Sequence, residues 1–211
     1  MLIRLLALCS LIGIARFASA QETVFDFFKP QWMRGANLVR QYIRSDAFAT
    51  MELRNGDIPA VDSIFAMALC VNDADIASAF LSAAIGCFDH KIIYVKTPFT
   101  NLPIPLSFEP DSEFTAKWKN LPSHIFHDSP VEGDKDKLQH FFGSAYIEWS
   151  TNSHTLASGV GDCIELLEPP LIVGGANDPR DKRANRAGIA FALLLQKYPM
   201  LPPSVVLNLV R

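Results

Sequence analysis

Asp136 and His140 stand four residues apart, as do Asp181 and Asn185, and Asp162, Glu165 and Glu168 step by three between those pairs. Spacings of three and four put side chains on one face of a helix, so each set presents its polar groups in one direction. An imidazole and carboxylates brought together supply nitrogen and oxygen ligands suited to zinc, manganese or iron, with Asp136, His140, Glu165 and Asp181 as the ligand set. Without an ion, Asp136, His140 and Glu165 are the groups for acid and base work once burial raises the carboxyl pKa values. The third reading is structural: a buried network of hydrogen bonds and ion pairs in which Lys137 or Arg183 is the cation and Asn185 a neutral partner. Residue types and spacing leave all three open. A divalent metal is the one cofactor they point to.

Several of these residues have a simpler local use. Asp178-Pro179-Arg180-Asp181 reads as a helix start, with Asp178 as N-cap, proline at the first helical position and Asp181 close to the free amide donors. Asp134 reads as the N-cap of an earlier helix, with Asp136 in its first turn. Gly174-Gly175 before Arg180, Lys182 and Arg183 resembles an anion site for a phosphate or lipid headgroup at a helix N-terminus. Asp178 and Asp181 share that terminus and would repel the anion, but Lys137, Arg180, Asp181, Arg183 and Asn185 remain the residues to bind one. There is no G-x-S-x-G elbow for Ser144, and Cys163 follows Asp162, which disfavours its thiolate. His124 and His127 fall in a loop-like stretch and are expected at the surface.

The elements that must position these groups are mostly helices. From Asp134 to about Thr151, Ser153 to Glu168 and Asp178 to Tyr198, apolar residues recur at helical spacing, broken by Asn152, Pro169-Pro170 and Gly174-Gly175. Gly188 lies where a neighbouring helix could approach closely. Upstream, Pro59 to Cys70 and Asp73 to Gly86 predict a helical hairpin joined at Val71-Asn72, preceded by the turn Asn55-Gly56-Asp57. Residues 21 to 50 read as an arm docked over the core, with an aromatic cluster (Phe25, Phe27, Phe28, Trp32) and a helical stretch through Arg44. Lys91 to Lys96 and Ile104 to Phe108 read as two short paired strands, Asp111 to Lys119 as a short helix and Leu201 to Arg211 as a last turn or helix. The fold class expected is therefore mainly α, a helical domain with a small two-stranded β element. Residues 21–127 carry the hairpin and strands, and residues 128–211 the polar motif, all packed as one unit.

Residues 1–20 read as an export leader: Arg4, an apolar stretch from Leu5 to Ala15, and Ala18-Ser19-Ala20 as the cleavage site. Arg16 leaves that stretch too short to span a bilayer. Cleavage would remove Arg4 and Arg16 and no acid, taking the net charge from −3 to −5. Such a balance lacks the basic footprint of a nucleic-acid binder. Cys9 lies in the leader, leaving Cys70, Cys87 and Cys163, an odd number that excludes complete internal pairing. Cys70 and Cys87 would sit at opposite poles of the hairpin, about 18 Å apart at 1.5 Å per residue, so all three cysteines are expected as small buried hydrophobes rather than a disulfide.

Asp136-Lys137-Leu138-Gln139-His140-Phe141, then Glu165, then Asp181-Lys182-Arg183-Ala184-Asn185-Arg186-Ala187-Gly188, form a D-K-x-x-H-F, E, D-x-x-A-N-x-x-G series. This series resembles the VanZ-like proteins and a related group of periplasmic lipoproteins of unknown function, over residues 133–195. The resemblance implies a helical, envelope-associated protein, with Asp136, His140, Glu165, Asp181 and Asn185 as the matching polar positions. The chain departs from VanZ-like proteins in its short apolar runs, about nine residues each from Phe141 and from Ala187, against the roughly twenty of a spanning helix. The function expected is an exported envelope protein whose polar cluster fixes helix register. A metal-assisted hydrolase of an envelope lipid or glycan intermediate, and a headgroup-binding protein, are the alternatives. A membrane surface or another envelope component is the expected partner, and the oligomeric state is left open.

Overall fold

A computed structural model describes residues 31–96, 103–131, 133–153 and 178–210. The leader, the aromatic residues Phe25 to Phe28, all but the first residue of the expected helix from Ser153 to Glu168, with Asp162, Cys163 and Glu165, and the Gly174-Gly175 break lie outside the described residues. The protein is mainly α. In chain order the helices are α1 (Gln31–Ile43), α2 (Asp46–Asn55), α3 (Asp57–Val71), α4 (Ile76–Gly86), α5 (Asp111–Lys119), α6 (Lys137–Thr151), α7 (Pro179–Lys197) and α8 (Pro203–Val210). Between α4 and α5 the backbone of Ile92–Lys96 (β1) runs antiparallel to Pro103–Phe108 (β2), from Ile92 opposite Phe108 to Lys96 opposite Pro103, with an irregularity between Ile93 and Tyr94. Among the described residues no helix is long and apolar enough to cross a membrane.

One apolar core runs from Val39 of α1 to Leu207 of α8, so residues on both sides of position 128 share it. Its centre is aromatic. Phe65 of α3 stacks on Phe80 of α4 at 5.2 Å and meets Phe191 of α7 edge-on at 5.2 Å, while Phe191 stacks on Phe141 of α6 at 5.5 Å. Full burial of such a side chain contributes about 1.5–3 kcal/mol. In α6, Leu138, Phe141, Phe142 and Ala145 form the buried stripe, and in α7 Ala184, Ala187, Gly188, Phe191, Ala192 and Leu195 do. Both follow the three-and-four spacing of a helix that buries one face.

The α6–α7 pair positions the polar residues. Lys137 meets Asp181, Ser144 Oγ donates to Asn185 Oδ1 at 2.8 Å, and Gln196 lies against Asn152 at 3.5 Å. The numbers rise together along both helices, so α6 and α7 run parallel with their N-termini side by side. The small residues of α7 let the backbones touch: a Cβ on Gly188 would lie 2.0 Å from the Phe141 carbonyl oxygen. The Ser144 hydroxyl is thereby a packing contact rather than a nucleophile.

Several local expectations are corrected. α6 starts at Lys137 rather than Asp134: Gly133 takes φ 88°, and the Asp134 carboxylate faces Lys137 and Arg180 instead of capping the amides that follow. α4 starts at Ile76 rather than Asp73, since Asp73 and Ala74 adopt left-handed φ values of 54° and 63° and Asp75 caps the helix through the Ser78 N–H. Residues 31–50 are no arm over the core. Val39 and Ile43 of α1 lie inside it, Gly86 of α4 leaves room for Val39, and a separate helix α2 begins at Ser45, whose hydroxyl accepts the Phe48 N–H. Cys70 and Cys87 form no disulfide with each other, as expected, and Cys87 is buried, but Cys70 is exposed. His124 and His127 are exposed.

Two glycines in the α6–α7 pair separate packing from propensity. Gly188→Ala forces a methyl group into the Phe141 carbonyl and should cost about 1–3 kcal/mol. Gly143→Ala, where nothing lies within 4 Å of the added carbon, should gain roughly 0.5–1 kcal/mol. Urea unfolding of the two variants against the parent checks the opposite signs.

Candidate functional site

Lys137 is the hub of the polar residues. Its side chain is 1 % exposed, and Nζ lies 3.1 Å from Asp134 Oδ1, 2.7 Å from Asp136 Oδ2, 3.3 Å from Asp178 Oδ2 and 2.6 Å from Asp181 Oδ1. A lysine in the first turn of a helix opposes the positive end of the helix dipole. Here four carboxylates from the turn before α6 and the start of α7 outweigh that penalty. An ammonium has three N–H donors, so it cannot donate to all four. Asp181 Oδ1 is accordingly in close charge contact with Lys137, yet among the described residues it has no hydrogen bond.

Arg180 supplies the second cation. It binds both oxygens of Asp178, at 3.2 Å from Nε and 2.7 Å from Nη2, and approaches Asp134 Oδ2 at 3.2 Å. Asp178 also caps α7, accepting the Arg180 N–H at 2.9 Å, with Pro179 next in the chain. Asp134, expected as a cap, is instead a buried ion-pair partner of Lys137 and Arg180. Asp136 occupies the residue before α6 in α-helical conformation and makes no side-chain cap bond. Its carbonyl accepts the His140 N–H at 3.4 Å, so the two share a helical turn as their spacing predicts, and its carboxylate meets the Lys137 ammonium.

The electrostatics follow from crowding four acids around two cations. Burial pushes Asp134 and Asp181 above the usual carboxylate range, although Lys137 pulls each the other way. Burial acts in the same direction on Asp178, but hydrogen bonds from Arg180 and the Lys137 ammonium outweigh it and bring its pKa down to about 2. For Lys137 burial disfavours the charge, yet the Asp136 and Asp181 carboxylates beside it hold it above its ordinary value. Leaving His140 aside, four carboxylates around Lys137 and Arg180 exceed the two cations by two negative charges. The N-termini of α6 and α7 offset about half a charge each.

His140 opens a second side of the cluster. One ligand atom each from Asp136, His140 and Asp181 lies within 4.8 Å of the others. His140 Nε2 stands 3.6 Å from Asp181 Oδ1, too long for a hydrogen bond. Two ligands about 2.1 Å from one tetrahedral ion are about 3.4 Å apart, so this pair has the separation of neighbours in a coordination shell. Asp181 and His140 are nearly buried, whereas the Asp136 side chain keeps 30 % of its surface.

The remaining expected site residues divide. Asn185 faces Ser144 across the α6–α7 contact. Arg183 points away from the cluster and pairs with Asp128 through both guanidinium nitrogens, at 2.7 and 2.9 Å, above the Phe126 ring. Arg180 and Arg183 thus both carry carboxylate partners, and the α7 terminus is capped by Asp178. Glu165 lies outside the described residues. The part of Asp178 and Asp134 in the ion cluster was not foreseen; the signal was Lys137 itself, a cation at the wrong end of a helix with acids one and three residues before it.

Lys137→Met should leave the acids without their central counter-ion and cost about 3–5 kcal/mol, read as a fall in the urea midpoint at pH 7. Asp178 gives a pH signature. Its folded pKa lies below its ordinary value of 3.8, so the stability it contributes is full above that value and is lost as pH falls through about 2. Thermal melts of Asp178→Asn should accordingly show less acid loss between pH 5 and 2 than the parent.

No family model matches the chain, and searches of curated proteins and of solved structures find no similar protein.

Proposed function

We propose that this chain is an exported, envelope-associated protein that binds a divalent cation between the N-termini of α6 and α7, through Asp136, His140 and Asp181. The observation that carries the reading is the His140–Asp181 separation of 3.6 Å. The contact is no hydrogen bond, and its oxygen, Asp181 Oδ1, has none among the described residues although the Lys137 ammonium lies 2.6 Å away. The excess of carboxylates over cations gives the site the charge that a divalent ion would neutralise. One imidazole and two carboxylates favour zinc, manganese or iron over calcium. Export is supported by Arg4, the apolar stretch after it and Ala18-Ser19-Ala20, and envelope association by the resemblance of the D-K-x-x-H-F and D-x-x-A-N-x-x-G segments.

Three protein ligands leave a coordination position for water, the arrangement of hydrolytic rather than purely structural ions. The partial exposure of Asp136 supports access to that position. A metal-assisted hydrolase acting on an envelope lipid or glycan intermediate is the activity this arrangement would serve. Lys137 then plays a separate part, tying the two helix starts together so that ligands from different segments stay in range.

Thermal melts in chelator and then with zinc, manganese, magnesium or calcium test the proposal. An ion at a hundred times its dissociation constant should add about 2.7 kcal/mol, and His140→Ala should abolish that gain while keeping the fold. The same melting temperature in chelator and in every ion would sink the reading and leave the cluster as a clamp between helices.

A further inference from the structure

We infer that Asp57, at the start of α3, is a positioning residue for the cation site, acting through the loop between α5 and α6. This inference rests on the ion reading above. Asp57 Oδ2 accepts two successive backbone amides, from Ser123 at 2.7 Å and His124 at 2.5 Å. The His124 ring reaches the same oxygen at 3.7 Å. Charged acceptors make the stronger class of hydrogen bond, so one carboxylate fixes the height and tilt of this stretch of loop.

The fixed stretch holds the site in turn. The Ser123 carbonyl accepts the Asp134 N–H at 2.7 Å. Gly133, with φ +88°, is pressed so close that an added Cβ would lie 2.4 Å from Ser123 Cβ. Asp134 then contacts Lys137 and Arg180, and Asp136 follows two residues later as a cation ligand. From Asp57 to the chain that carries Asp136 there are thus only two hydrogen-bonded steps, both into backbone. Asp136 is held to the first turn of α6 by its carbonyl, which accepts the Gln139 N–H at 3.1 Å, and the turn before it sets where that first turn begins.

On the far side of that turn, Lys135 donates to the Trp118 carbonyl and lies over the Trp118 ring at 4.0 Å. These contacts hold Lys135 against α5, while Asp57 holds Ser123 against α3. The two anchors bracket Asp134. Removing the Asp57 carboxylate frees Ser123 and His124 and loosens the backbone that sets the distance from Asp136 to His140 and Asp181. Loss of an outer-layer partner of this kind typically weakens metal binding 10–100-fold.

Asp62, further along α3, provides the matched control. It too accepts a backbone amide, that of Ser204 at 2.7 Å, but this holds α8 rather than the loop. Calorimetric titration of the full chain with manganese, at a temperature where each variant is folded by circular dichroism, compares the parent with Asp57→Ala, Asp57→Asn and Asp62→Ala. Asp57→Ala should bind about tenfold more weakly, and Asp57→Asn, which keeps an acceptor oxygen but no charge, should fall between it and the parent. Asp62→Ala should lose stability yet keep the parent affinity. Should Asp57→Ala not fold, Asp57→Asn against Asp62→Asn decides the matter by the same criterion. Parent-like affinity in the Asp57 variants, or equal weakening in the Asp62 variants, overturns the inference while leaving the ion reading intact. A parent chain that binds neither manganese nor, in a parallel titration, zinc overturns both.

Discussion

The structure turns on one ammonium group. Lys137 sits almost wholly buried among Asp134, Asp136, Asp178 and Asp181, where two helices begin side by side. Each component alone would be unfavourable: a lysine at the positive end of a helix, and carboxylates crowded out of water. Together they form a unit in which the cation holds the acids and the acids keep it charged. Such a unit contributes specificity more than net stability, because removing charges from water offsets much of their attraction. Its consequence is geometric. The turn before α6 and the first turn of α7 must meet.

That meeting is possible because the helices beneath are closely packed. Ala184, Ala187, Gly188 and Ala192 give α7 a face of small residues, and the backbone of α6 lies against Gly188. Phe141 and Phe142 of α6 then reach Phe65 and Phe191, so the aromatic centre sets the separation of α3, α6 and α7. The parallel course of α6 and α7 brings two positive helix ends to the same place, which is the electrostatic reason that aspartates collect there. His140, one turn into α6, faces the cluster, its Nε2 3.6 Å from Asp181 Oδ1.

A second buried ionic group shows the same logic applied to structure alone. Lys117 of α5 is fully buried and bonds the Phe88 carbonyl at 2.6 Å and the Glu109 carboxylate, while Arg40 of α1 reaches the Ile85 carbonyl at 3.3 Å and Glu109 at 3.7 Å. Burial lowers the Lys117 pKa and pushes the neighbouring Cys87 thiol up to about 12, so Cys87 behaves as a small hydrophobe rather than a nucleophile. These contacts fasten the ends of α4 and β2 to α1 and α5.

The helices were legible because their causes are local. A period of 3.6 residues, the Asp178-Pro179 start and the break at Asn152 are written in neighbouring positions, and α6 and α7 end within a residue of where those signals place them. Local signals failed where a distant partner claimed the same atom. Asp134 has the chemistry of an N-cap, but its carboxylate is taken by Lys137 and Arg180, so it caps no amide and the helix starts later. Asp73 likewise stands before a helix whose cap is Asp75. The sequence by itself determined which residues are polar, which faces are apolar and that Asp136, His140 and Asp181 were candidates for one site. Only the tertiary structure decided that they converge, that Lys137 is their hub, and that Arg183 turns away to Asp128. The reason is that convergence depends on the direction and spacing of α6 against α7, set by contacts such as Ser144 with Asn185 between positions 41 residues apart, which no local spacing encodes.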